Sequence, residues 1–167
     1  YTLYAKSDSR KSDSKVSADA WREQCVFIST NDVDKICSIV EQEPPFLLIV
    51  DSIQTVETDE LTGAAGSFGQ VRESTQKITE VAKRLQIPTI LVGHVTKEGT
   101  IAGPKVLEHI VDTVLELSGE RNNELRTIRA IKNRFGATDE VGLFVMNETG
   151  LKEVTNPSEI FLQHAEA

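Results

Sequence analysis

Asp51 closes a run of five apolar residues, Phe46 to Val50, and Ser52 follows it. A carboxylate at the tip of such a strand can hold the hydration shell of Mg2+ while the metal bridges nucleotide phosphates, with the serine hydroxyl hydrogen-bonding beside it. This is the form of a Walker B strand, although an aspartate is also an ordinary polar ending for any buried strand. His94 follows Gly93 at the end of a second apolar run, Ile87 to Val92. A neutral imidazole there could hydrogen-bond a γ-phosphate or an attacking water and report its loss to the following loop, which carries Thr96, Lys97 and Gly99. A lone histidine at a strand end is otherwise structural. Lys132 and Arg134, in IKNRFG, stand two residues apart. On an extended strand they share one side, a two-cation prong for the phosphates of a nucleotide or of DNA. Without context such a pair is solvated surface. Phe135 beside them would anchor the turn or stack on a base, the first being the simpler role.

The elements that must position these groups alternate strand and helix. Cys25 to Ser29 reads as a short strand, with Thr30 and Asn31 as candidate N-caps for a helix carrying Val33, Ile36, Cys37 and Val40 at helical spacing. Pro44-Pro45 ends that helix. The apolar run before Asp51 predicts a strand covered on both faces, which favours a parallel sheet flanked by helices. Phe68, Val71, Thr75, Ile78, Ala82 and Leu85 step by three and four, predicting an amphipathic helix that packs on the sheet. Pro88 to Val92 predicts a second buried strand. A short helix is expected around Lys105 to Ile110, then strands at Asp112 to Leu117, Leu125 to Ile131 and Val141 to Met146, whose short connections suit an antiparallel extension. The fold class is therefore α/β, a mainly parallel sheet with ligand-binding loops at the carboxyl ends of its strands.

Length and composition agree with one domain over residues 1 to 167, residues 1 to 24 forming a divergent or poorly ordered part and 25 to 167 the regular core. The net charge is −8 and the pI near 4.9, which argues against general affinity for nucleic acid without excluding a local basic edge. Cys25 and Cys37 fit neither a CxxC nor a disulfide framework and read as ordinary buried thiols in a reducing, cytoplasmic setting. No apolar run is long enough to span a membrane. The Gly-rich stretch Gly63 to Gly69 lacks GxxxxGK[ST] and follows Asp51 instead of preceding it, so it is not a phosphate loop. It reads as a flexible connection or a loop that orders on polynucleotide.

Taken together, KNRFG at Lys132 to Gly136, with LLIVDSIQT, GSFGQVRE, LVGHVTKEG, IAGPKVLEH and NPSEIFL in order, closely resembles the RadA/Sms family of DNA repair proteins over about residues 25 to 167. The resemblance implies a RecA-like P-loop nucleoside-triphosphatase core and a DNA-dependent ATPase using ATP and Mg2+. It implies a homo-oligomeric ring, expected to be a hexamer, that works with a RecA-type recombinase on single-stranded DNA and promotes branch migration of recombination intermediates. By resemblance Asp51, with Ser52, is the Walker B pair that holds Mg2+ through water, His94 is the phosphate sensor, and Lys132 and Arg134 reach a neighbouring subunit's nucleotide or couple it to DNA. By the same resemblance the two DNA-facing loops are Glu57 to Gln70 and Thr96 to Lys105, and Gly66, Ser67, Arg72, Thr96, Lys97 and Lys105 are the residues expected to face DNA.

The departures are equally specific. Family members carry a zinc-binding finger, a Walker A loop and a Lon-like domain that these 167 residues do not contain, so zinc is expected only in such a finger. Where the family has a strand followed by SGEES, with a water-activating glutamate, this chain has Leu3-Tyr4-Ala5-Lys6-Ser7-Asp8-Ser9, in which Asp8 is a candidate for that carboxylate's place with a shorter side chain and altered surroundings. The rival expectation is a non-catalytic interaction or oligomerisation module.

Overall fold

The structure is a computed structural model and describes residues 2–5, 25–94, 107–119 and 124–156. The chain divides into two units, Tyr1–Ile110 and Val111–Ala167. In the first, strands β1 (Thr2–Ala5), β2 (Cys25–Ile28), β3 (Leu47–Asp51) and β4 (Thr89–Val92) form a sheet in the order β2-β1-β3-β4. β3 and β4 run parallel, while β1 is antiparallel to both its neighbours. The parallel pair needs a crossover, and α2 (Phe68–Arg84) supplies it.

The core of this unit forms where helix α1 (Val33–Gln42) and α2 meet β3. Val33, Ile36 and Val40 of α1, Leu48 and Val50 of β3, and Val71 and Ile78 of α2 are all buried together. Their helical and alternating spacings turn one stripe of each element inward. Cys37 is half-buried here, and burial pushes its thiol up to about 11, so it is a packing residue. Cys25 is also only half-buried.

Several expectations need correction. The N-cap of α1 is Asp32, not Thr30 or Asn31: its carboxylate accepts from Asp34 N at 2.9 Å and Lys35 N at 3.1 Å. Aspartate one residue later wins because it reaches two of the helix's orphan amides at once. Phe68 opens α2 but is 59% exposed, and the buried stripe instead includes the polar residues Gln70 and Ser74. β4 is not buried on both faces, since Ile90 is 50% exposed; it is the last strand of the described sheet. Helix α2 ends in a Schellman motif, with Gln86 N donating to Lys83 O at 3.2 Å and Ile87 N to Ala82 O at 2.8 Å. Gln86 takes the left-handed position, φ 56°, that glycine ordinarily occupies.

The second unit is an antiparallel meander of β5 (Thr113–Ser118), β6 (Leu125–Asn133), β7 (Val141–Asn147) and β8 (Gly150–Glu153) in that order. β8 was not legible in the sequence. It forms because the Asn147 carboxamide oxygen accepts from both Thr149 N and Thr149 Oγ1, and Gly150 adopts φ 114° to close the hairpin. Of the expected helix at Lys105 to Ile110, only residues 107–110 are described: Leu107 is helical and 108–110 form a turn, with Ile110 N donating to Leu107 O. Among the described residues no helix is long and apolar enough to cross a membrane.

Candidate functional site

Strand register brings two of the singled-out residues to one edge. Asp51, the last residue of β3, pairs with Val92, the last of β4, and Gly93 and His94 continue from there. Both side chains are exposed at the carboxyl end of the parallel pair, the edge where open α/β sheets gather ligand groups. Beyond Asp51 the chain turns at once. The Ser52 carbonyl accepts from Thr55 N at 3.1 Å and Thr55 Oγ1 at 2.8 Å, winding Ile53–Thr55 into a single 3₁₀ turn. Ile53 is fully buried beneath it and anchors the turn to the core.

A third residue, Gln54, joins this edge. Its carboxamide is buried, and Nε2 donates to the His94 carbonyl oxygen at 3.0 Å. Nothing in the pattern of DSIQT marks this residue, because its partner lies 40 positions away.

Hydrogen bonds tie the segment ahead of the Gly-rich stretch to both helices. Glu57 bridges to Asp32, its amide donating to Asn31 O at 2.8 Å while its carbonyl accepts from Val33 N at 3.0 Å. Thr58 N donates to Gln70 Oε1 at 2.8 Å, and Gln70 Nε2 donates to Thr58 O at 3.0 Å and Leu61 O at 2.8 Å. Gln70, fully buried, thus ties the loop to the first turn of α2. Lys77 adds a second tie through Asp34 and Glu60. Gly66 is buried, Ser67 is the extended N-cap residue of α2, and Arg72 is exposed one turn on. Thr96, Lys97 and Lys105 lie outside the described residues, as does Asp8.

In the second unit Lys132 and Arg134 converge on one neighbouring segment. Lys132 Nζ donates to Val111 O at 2.8 Å, and Arg134 Nη1 lies 3.2 Å from Asp112 Oδ1. β6 ends at Asn133, so Arg134 belongs to the following turn, its own amide donating to Asp112 O at 3.0 Å. That turn is anchored by Asn133, whose carboxamide oxygen accepts from Phe135 N and whose Nδ2 donates to Ala137 O. Phe135 does not anchor it, being 79% exposed.

Among the described residues no three His, Cys, Asp or Glu side chains gather to hold a metal. Asp51 is a single hard carboxylate at a strand tip, which suits Mg2+ held through water with phosphates completing its shell, and does not suit zinc.

No protein-family model matches the chain. It is 53% identical over 140 residues to the DNA repair protein RadA of Bacillus subtilis, covering 84% of this chain and 31% of that protein. The RadA of Halalkalibacterium halodurans is 46% identical over 164 residues, covering 96% and 36%. That of Aquifex aeolicus is 52% identical over 130 residues, covering 78% and 29%. The chain therefore spans about a third of the length of these relatives. Among solved structures, the RadB recombinase superposes with a TM-score of 0.51 at 19% identity, covering 73% of this chain and 57% of that one. A KaiC-like protein from Pyrococcus horikoshii gives 0.51 at 18% identity, covering 73% and 55%. These last two establish the shared α/β fold. On identity that runs through most of its residues, the chain belongs to the bacterial RadA/Sms family of DNA repair proteins.

Proposed function

We propose that this chain is the Walker B and sensor portion of a DNA-dependent ATPase that acts in DNA repair and recombination, moving branch points in recombination intermediates. The observation that carries the reading is the in-register parallel pair Asp51 and Val92, which delivers Asp51 and His94 to the same sheet edge. Homology to DNA repair proteins supports the biological setting. Bound Mg2+ would neutralise charge on the β- and γ-phosphates. Asp51 would hold the metal's water shell, Ser52 standing beside it, and His94 would hydrogen-bond the terminal phosphate or the attacking water. Since the 167 residues contain no GxxxxGK[ST], the phosphate cradle is not theirs and hydrolysis is assigned to the whole protein.

Lys132 and Arg134 would serve the nucleotide of an adjacent subunit in a homo-oligomeric ring. The Arg134 side chain is exposed and that of Asp112 half-buried, and an ion pair open to solvent on one side is worth little, so a phosphate can compete for the guanidinium. Gly66, Ser67 and Arg72, with Thr96, Lys97 and Lys105, would face single-stranded DNA, and a RecA-type recombinase would be the protein partner. The test is ATP hydrolysis by the full-length gene product with Mg2+, with and without single-stranded DNA. Asp51→Asn nearly preserves shape while removing the charge, so turnover should fall by about tenfold or more with folding intact. Equal turnover by mutant and wild type overturns the assignment.

A further inference from the structure

We propose that Gln54 is a positioning residue that clamps the backbone of Gly93–His94 to the turn after Asp51 and so sets where the His94 side chain stands. The proposal rests on the functional reading of Asp51 and His94 given above. Two independent observations carry it. First, Gln54 is only 6% exposed, and its Nε2 donates to the His94 carbonyl at 3.0 Å across the ends of β3 and β4. The orientation of the amide is chemically forced, since the flipped form would set its oxygen against a carbonyl oxygen. Its Oε1 is buried with no partner among the described residues. An apolar side chain would avoid that penalty but would lose the bond to His94 and with it the link between the two strand ends.

Second, Gly93 is shaped to admit this carboxamide. A Cβ at position 93 would lie 3.3 Å from Gln54 Nε2, 3.5 Å from its Oε1 and 3.7 Å from Ile53 Cγ2. Gly93 has no left-handed φ, so the glycine meets a need for close approach and not one of backbone conformation. Ile53 is fully buried beneath, which leaves the turn little room to yield. Gln54 and Gly93 therefore form a matched contact joining the strand that presents Asp51 to the strand that presents His94. Because the bond is to the backbone of His94, it restrains the point from which the imidazole departs without occupying either ring nitrogen.

The consequence is kinetic. A sensor displaced by a fraction of an ångström still allows nucleotide to bind but misplaces the group that meets the transferring phosphate. Gln54→Met, which keeps length and removes the donor, should lower kcat by about tenfold while KM for ATP stays within about twofold. Gly93→Ala should act in the same direction by pushing the amide away, and Gln54→Asn, with the donor set back by one methylene, should fall between.

The experiment measures ATP hydrolysis by the full-length gene product with Mg2+ and single-stranded DNA, for wild type, Gln54→Met, Gly93→Ala and Asp51→Asn, alongside thermal unfolding of each. A kcat loss in both Gln54→Met and Gly93→Ala at preserved KM supports the clamp. If Gln54→Met does not fold, Gly93→Ala decides alone. Wild-type kcat in the folded variants, with turnover still lost in Asp51→Asn, overturns the clamp and leaves the functional reading standing. Turnover unaffected by Asp51→Asn, or absent in the wild type, overturns the functional reading and the clamp with it.

Discussion

Lys77 Nζ lies 2.7 Å from Asp34 Oδ1, joining the middle of α2 to the first turn of α1 across 43 positions of sequence. The same ammonium reaches Glu60 Oε2 at 2.9 Å, and Thr58 donates its hydroxyl to Asp34 Oδ2 at 2.9 Å, so both helices and the intervening loop meet at one charge. The hydrogen bond from Lys77 holds the Asp34 carboxyl below its ordinary range, against some desolvation and helped by Thr58. Asp34 in turn holds the Lys77 ammonium above the ordinary lysine range, with Glu60 adding to it.

These directions fix a pH window. The stability that Asp34 contributes is complete above its unfolded value of 3.8 and is lost as pH falls through its lower folded value. That from Lys77 is complete below 10.5 and is lost as pH rises through its higher folded value. Half of the Asp34 side chain is exposed, so screening keeps the pair to about 1 kcal/mol at most. Lys77→Met should therefore be less stable than wild type in urea at pH 7, and the gap should narrow below about pH 4. A gap that is the same at pH 7 and pH 3 would show that the loss is one of packing.

Gln70→Leu keeps the volume at a fully buried site and removes the carboxamide hydrogen bonds by which Gln70 fastens the loop to the first turn of α2, leaving the tie through Lys77 in place. Thr58 N and the carbonyls of Thr58, Leu61 and Gly63 lose this partner, and the expected cost is about 2–3 kcal/mol. Hydrogen exchange should accelerate at Thr58 specifically. Unchanged protection there would mean that the loop is held by the Lys77 cluster alone.

Gln86→Gly should stabilise the chain. The left-handed conformation costs a side-chain-bearing residue about 1–2 kcal/mol, while glycine returns about 0.5–1 kcal/mol as lost chain entropy. The net gain is on the order of 0.5–1 kcal/mol, read as a raised midpoint in thermal unfolding. A lowered midpoint would show that the Gln86 side chain makes a contribution larger than its backbone penalty.

Arg134→Ala should leave folding nearly untouched, within about 0.5 kcal/mol, because the contact to Asp112 is exposed. In the full-length gene product the expected loss is in hydrolysis. If Arg134 serves a neighbouring subunit's nucleotide, mixing Arg134→Ala with Asp51→Asn subunits should restore some activity, since one kind of junction then holds both intact residues. If it contacts only DNA, basal hydrolysis should persist and its stimulation by DNA should fall. Wild-type rates and wild-type DNA affinity would defeat both roles.

Periodicity and punctuation in the sequence determined most of the architecture. The apolar run before Asp51, the three-and-four stepping of Val71, Thr75, Ile78 and Ala82, and the Pro44-Pro45 stop each act within a few residues, where local geometry decides. The motif residues were legible for the same reason: Asp51 and His94 end strands whose direction follows from the helix between them. What only the tertiary structure decided are contacts between residues far apart in the chain. Gln54 meets His94 across 40 positions and Lys77 meets Asp34 across 43, and neither leaves a periodic trace. The buried amide of Gln70 looks like any polar residue in a Gly-rich stretch until the fold folds Thr58 back onto it. Polar side chains take their roles from the partner they find once apolar packing has set the backbone, and that partner is chosen by the fold as a whole.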